Sequence, residues 1–394
     1  VDAKGNPGKH ILYLLGAGIS KGAGLKTSAE LLDSMVEWGR QSGDADLDIA
    51  LTAVVNTLRD VNAGANIEDL LDAARSIRSR TDSCLWFLTE GFRNPLKSLE
   101  KRNPALLSKL SRIVLDRIRA ELTLDIVLEW KYLENLIQLV RKSSSPCIFT
   151  LNYDLLIETV LDYEHISYAT GFARPLKGSA DSYMLPDIEM WPVGYQRSYI
   201  GEEITYLTHD QRRAEVRLIK LHGSLDWFRV ASPAVYEGGL RISPQDRIVR
   251  HQPLANVEAM EMMIAGRSGK ERTEEPFRVL LREFYLAAQQ ADVVVVIGYS
   301  FSDEHINRVL IDAQVFERSR SFDLVVVNGP DWPPPQMSKT AEEAWRILET
   351  AAEKCRAENL WGLSVIRDYA EAALEKQLLS NELDAILDVR HHGL

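Results

Sequence analysis

Cysteine is scarce. The chain has three in 394 residues, Cys84, Cys147 and Cys355, far apart and with no C-x-x-C pair. That leaves no ligand set for a zinc ribbon and no basis for a disulfide framework, and it points to the reducing cell interior. Long apolar runs are missing too. No stretch approaches the roughly 20 residues a membrane-spanning helix needs, and the opening Val1-Asp2-Ala3-Lys4-Gly5 has no signal-peptide character, so a cytoplasmic location without membrane contact is expected. Positive charge is in deficit, with 46 Lys and Arg against 57 Asp and Glu and a net charge of −11. Such a surface repels phosphate backbones, which argues against strong direct nucleic-acid binding by this chain but leaves room for a local basic groove. Internal repeats and low-complexity tracts are absent as well.

What remains is a composition that is 45% hydrophobic and 26% charged, enough for a large core with accessory elements. Five short runs rich in Val, Ile and Leu read as buried parallel strands: Ile11–Leu15, Cys147–Leu151, Arg217–Leu221, Val293–Ile297 and Leu324–Val327. The third is the most polar, at Arg217 and Lys220. Three of the runs pass directly into loops carrying Gly16, Asn152 and Gly298. Ligands of open α/β sheets bind beyond the carboxyl ends of the strands, so these loops are expected to share one crevice.

Between the first two strands the periodicity is helical over Ser28–Arg40, Asp46–Val61, Ile67–Arg80, Pro104–Ala120 and Leu124–Val140. One crossover needs a single helix, so 26–142 reads as an inserted helical module. Residues 170–215 and 230–275 read as loops and short strands, with Gly266–Lys270 as an expected mobile tip. Trp332-Pro333-Pro334-Pro335 is a sharp stop, followed by a helical tail from Lys339 to about Leu387. The expected organisation is α/β. A parallel-sheet domain spans 1–335, interrupted by the insertion, and a C-terminal helical tail spans 336–394.

Four segments carry chemistry. Gly16-Ala17-Gly18-Ile19-Ser20 follows a strand and opens a helix, the form of a phosphate-binding turn, although Gly-Ala-Gly also serves simply to turn tightly. Asn152 and Asp154, in Thr150-Leu151-Asn152-Tyr153-Asp154, either cap the next helix or hold ribose hydroxyls and a water. His222, in Lys220-Leu221-His222-Gly223-Ser224, is either a hydrogen-bonded structural residue or a base that takes a proton from a hydroxyl or water. Gly298-Tyr299-Ser300-Phe301-Ser302-Asp303-Glu304 combines a glycine turn, where ribose or phosphate could approach the backbone, with a Ser-Asp-Glu cluster sufficient to cap a helix. The last strand ends at Asn328, where an adenine or its ribose could lie.

In this order, the motifs G-A-G-I-S, T-x-N-x-D, K-L-H-G-S and I-G-Y-S-F-x-D-x-x-I-N resemble those of the sirtuin superfamily. More closely, they resemble the bacterial sirtuin-like domains used in anti-phage defence. The resemblance covers about half of the chain. It implies a Rossmann-like domain that binds NAD as substrate, with no metal. Gly16, Ala17, Gly18 and Ser20 would cradle the pyrophosphate. Asn152 and Asp154 would hold the nicotinamide ribose and its water. His222 would be the catalytic base, and Gly298, Tyr299 and Ser300 would meet the adenosine half, next to the Asn328 strand end.

The chain departs from protein-deacylating sirtuins in two ways. It lacks their paired zinc cysteines, and Lys21-Gly22-Ala23-Gly24 stands where they carry Asp-Phe-Arg. The resemblance therefore implies an NAD glycohydrolase that releases nicotinamide and ADP-ribose and depletes NAD in abortive anti-phage defence. Its activity would be gated by homo-oligomer assembly or by a HerA-type hexameric ATPase, with the helical insertion as contact surface. An NAD-dependent protein deacylase or ADP-ribosyl transferase, and a silent NAD- or ADP-ribose-binding scaffold, stay open beside it.

Overall fold

The computed structural model describes residues 10–62, 64–79, 90–123, 129–144, 146–166, 168–170, 183–185, 188–192, 215–229, 235–238, 261–264, 277–316, 322–335, 337–357 and 362–392. The all-apolar run Ile11–Leu15 forms strand β1, buried along its whole length, at the middle of a seven-stranded parallel sheet. β1 pairs on one side with β2 (Cys147–Thr150), which is followed by β6 (Val216–Lys220) and the two-residue β3 (Tyr168–Ala169). On its other side lie β10 (Val293–Ile297), β11 (Asp323–Asn328) and β12 (Leu363–Arg367). The chain thus moves outward from β1 in one direction and returns to build the other half. In such doubly wound sheets the ligand crevice forms where the order reverses, beyond the carboxyl ends of the central strands.

Alternation along β1 assigns its side chains to two cores. Ile11, Tyr13 and Leu15 join the cluster on one face, and Leu12 and Leu14 join the other. The first face is covered by α2 (Ser28–Gln41), α3 (Ala45–Val61), α4 (Ile67–Ser79), α5 (Glu90–Arg102), α6 (Pro104–Thr123) and α7 (Lys131–Arg141). Their buried leucines, valines and isoleucines are continuous with the sheet's own core. The inserted segment is therefore the covering layer of one face. Its first helices begin where local chemistry dictates. Thr27 and Glu30 form a reciprocal capping box at α2, and Asp44 accepts from Asp46 N and Leu47 N at α3.

The second face is covered by α9 (Phe277–Gln290), α10 (Glu304–Ile311) and α11 (Lys339–Ala357), through Phe284, Leu310, Trp345 and Leu348. A smaller antiparallel sheet has the order β4 (Tyr183–Leu185), β5 (Ile188–Pro192), β8 (Val235–Gly238), β7 (Gly223–Arg229) and β9 (Glu261–Ile264). Among the described residues no helix is long and apolar enough to cross a membrane.

The fold is the Rossmann-like parallel arrangement expected from the motifs. All five expected strands are present, with ends shifted by at most one residue. Helix Phe277–Gln290 lies outside the expectations, although Phe277, Leu280, Phe284 and Ala288 recur at helical spacing. The tail is helical at α11, α12 (Ala370–Glu375) and α13 (Leu378–His392), but it also contributes β12, paired in register from Leu324↔Leu363 to Asn328↔Arg367. It continues the sheet beyond the proline run, and Arg367 Nε donates to Trp332 O at 2.8 Å. The expected Gly266–Lys270 tip lies outside the described residues, as does Cys84.

At the amino-terminal rim of the sheet, opposite the crevice, Cys147 lines a cavity of about 220 Å³ beside Arg217 and Glu283. Burial pushes its thiol up to about 12, and the nearby Arg217 only partly opposes this. At pH 8 a thiolate-selective reagent is expected to leave Cys147 unlabelled in the folded protein and to label it on denaturation. Mass spectrometry of the Cys147 peptide checks this, and rapid native labelling would contradict it.

Candidate active site

Three neighbouring strands deliver the motif residues to one rim. Leu15 is in register with Thr150, and Thr150 with Lys220, so the segments beginning at Gly16, Leu151 and Leu221 leave the sheet side by side. Leu151 N donates to Leu15 O and Leu221 N to Thr150 O, both at 2.9 Å, extending the ladder into the loops. Asn152 and His222 thus project from adjacent strands on the same side of the molecule.

Asn152 is buried. Its Nδ2 donates to Ser20 Oγ at 2.8 Å and to Gly16 O at 3.1 Å, joining the β2 loop to the glycine turn. Asp154 is also buried, and its Oδ1 accepts from Leu156 N at 3.0 Å at the start of α8 (Leu156–Tyr163). It is therefore a cap. Its second carboxylate oxygen takes no part in that bond.

Gly16 and Gly18 act mainly on Gly298. Their N–H groups donate at 2.9 Å to Ile297 O and Gly298 O. A Cβ on Gly16 would come within 2.5 Å of Gly298 O, and one on Gly18 within 2.7 Å of Gly298 Cα. Gly298 itself has φ +65°. The glycines thus let two turns meet backbone to backbone, while Ala17 opens the short helix α1 (Ala17–Lys21) beside them and Ser20 lies in it one residue before its end. Beyond Gly298, Tyr299 is buried against Phe301, with ring centroids 4.9 Å apart, and its hydroxyl is engaged with Asp303 and Asn307. Asn328 Nδ2 donates to Tyr299 O at 2.8 Å, and Ser300 Oγ bonds Ser302 Oγ at 3.0 Å. Tyr299 and Asn328 thus brace the turn from within, an internal role beyond the expected contact with adenosine.

His222 is 5% exposed and lies between two carboxylates. Asp303 Oδ2 is 2.9 Å from Nε2, placed off the direction of a hydrogen bond from that nitrogen, and Glu68 Oε1 is 3.5 Å from Nδ1. Neither acid was among the expected site residues. Asp303 was visible as a helix cap and does cap α10, its Oδ1 accepting from His305 N and Ile306 N. A carboxylate has two oxygens, and the second reaches the imidazole. Glu68 sits in the first turn of α4, where an acid is ordinary, and nothing local in the sequence singles it out. Lys220, which made its strand look polar, is buried. Its Nζ is 2.8 Å from Glu158 Oε1 and also bonds the Asp154 carbonyl, pinning the Asn152 loop to the strand that carries His222.

A family model for the SIR2-like domain matches residues 146–349, just over half of the chain. No curated protein matches. Solved structures do. A Sir2 homolog in complex with NAD is 12% identical, covering 96% of this chain and 91% of its own, with a TM-score of 0.42. A Sir2 bound to acetylated peptide is 13% identical, covering 87% and 93%, with a TM-score of 0.33. A Sir2 homologue mutant in complex with ADP-ribose is 13% identical, covering 89% and 94%, with a TM-score of 0.35.

Gly298→Ala places a methyl 2.6 Å from Ile19 N in a left-handed backbone. The backbone alone costs about 1–2 kcal/mol, and the collision adds to it. Thermal unfolding is expected to show a melting temperature lowered by several degrees, and an unchanged one would contradict this account of the seam.

Proposed function

The chain belongs to the SIR2-like domain family, and on that premise we propose that it is an NAD hydrolase, cleaving the bond between nicotinamide and ribose. The observation that carries the reading is the meeting of Asn152, Asp154 and His222 on one rim, beside a glycine turn at the sheet's reversal point.

The residues suit a dinucleotide whose nicotinamide ring is cationic. Its pyrophosphate would lie against Gly16–Ser20, and its adenosine half along Gly298–Ser300 and Asn328. Asn152, already tied to Ser20 and Gly16, orients the attacking water at the ribose. Asp154, with an oxygen beyond its cap, holds ribose hydroxyls and adds negative charge where positive charge develops. His222 accepts the proton the water gives up. The glycosidic electron pair leaves with nicotinamide, the water oxygen becomes the hydroxyl of ADP-ribose, and one proton is released. The burial of these side chains keeps bulk water from competing with them. No step calls on a metal.

Depletion of NAD as an anti-phage response, with a homo-oligomer or a HerA-type ATPase as its gate, belongs to the same proposal and is supported by the motif resemblance. Free NAD hydrolysis would be harmful if ungated, and the inserted helical layer offers a surface through which an assembly could act on the rim.

Purified protein, with and without a co-encoded ATPase, is expected to convert NAD into nicotinamide and ADP-ribose. Asn152→Ala and His222→Ala should each lower the rate at least about 100-fold while the circular dichroism stays native. Full hydrolysis by the double mutant, or acyl-ADP-ribose or modified protein as the product, would overturn the reading.

A further inference from the structure

Glu68 is a carboxylate at 8% exposure, delivered to the rim by the inserted layer rather than by the sheet. Helix capping does not account for it. Asn66 Oδ1 already accepts from Glu68 N at 2.9 Å, and Asp69 Oδ2 accepts from Asn66 N at 3.0 Å. The Glu68 carboxylate instead receives the Tyr153 hydroxyl and faces His222 Nδ1. Burial raises the Tyr153 pKa well above its usual value, and the charge of Glu68 raises it further, so the hydroxyl stays a donor and the carboxylate stays anchored. Ile67, Leu70 and Leu71 on the same turns are buried in the shared core, which fixes the helix that carries it. A charged side chain taken this far from water is costly unless its partners are well placed. Here the partners are the catalytic imidazole and a residue between Asn152 and Asp154.

We propose that Glu68 is a positioning residue for His222. It keeps the proton on Nδ1, fixes the ring plane, and leaves Nε2 as the nitrogen that exchanges a proton, with Asp303 alongside to hold the charge that results. The proposal rests on the reading of His222 as the base. It makes activity depend on the seating of α4, so the inserted layer completes the site as well as covering the sheet.

The test compares Glu68→Gln, Glu68→Asp and Tyr153→Phe with wild type in NAD turnover, melting temperature and the ¹⁵N ring signals of His222. Glu68→Gln keeps the shape and the tyrosine bond but loses the charge. It is expected to lower kcat at least about tenfold with KM within about twofold, at an unchanged melting temperature, and to move the ring signals toward the other tautomer. Glu68→Asp should restore part of kcat. Tyr153→Phe, which leaves the charge but loosens it, should fall between wild type and Glu68→Gln. A Glu68→Gln kcat equal to wild type, or ring signals left in place, overturns the proposal. If the wild type does not cleave NAD at all, the functional reading fails, and the ring signals alone decide whether Glu68 holds His222.

Discussion

A single buried ammonium organises the rim. Lys220 ends β6 with 3% exposure, and an unpaired charge there would be prohibitive. Three of its acceptors come from one neighbouring segment: the carbonyl of Asp154, the carbonyl of Tyr153 at 3.5 Å, and Glu158 on α8. The strand before His222 and the loop bearing Asn152 are thereby locked to each other by a group that touches neither side chain. Leu225 N, donating to Tyr153 O at 3.0 Å, repeats the link from the next strand. Remove this bond set, and the amide and the imidazole would still belong to adjacent strands but would lose their common frame.

The second organising fact is that charge reaches the imidazole from both layers. Asp303 comes from the turn after β10 and Glu68 from α4, so the sheet and its helical cover each place a carboxylate on the same ring. Asp303 also holds the start of α10, so local structure and site chemistry share one side chain there. The same economy appears in Asn152, which joins two loops while standing at the proposed reaction centre.

Five of the sheet's seven strands and most of its helical cover were legible because their signals are local: β-branched runs at Val293–Ile297, helical spacing at Ile67–Ser79, glycine turns after Leu15 and Ile297. Register was not. That Thr150 faces Lys220, and hence that Asn152 and His222 share an edge, depends on strand order, for which the motifs supplied only the expectation. Strand Leu363–Arg367 was hidden because four partly buried residues and one exposed one between helices carry little pattern, and what identifies them is pairing with Leu324–Asn328. Glu68 and Lys220 were opaque for a different reason. An acid in a first helical turn and a lysine at a strand end are commonplace on a surface, and only burial gives them meaning.

The seam between Gly16, Gly18 and Gly298 bears on how this protein could be redesigned. Main chain lies against main chain at both turns, with no side chain between them to enlarge, shrink or recharge. Point substitution therefore has almost no vocabulary at that spot. On the proposed reading, new nucleotide preference would have to enter through residues flanking the seam or through altered loop length, with both turns adjusting in concert.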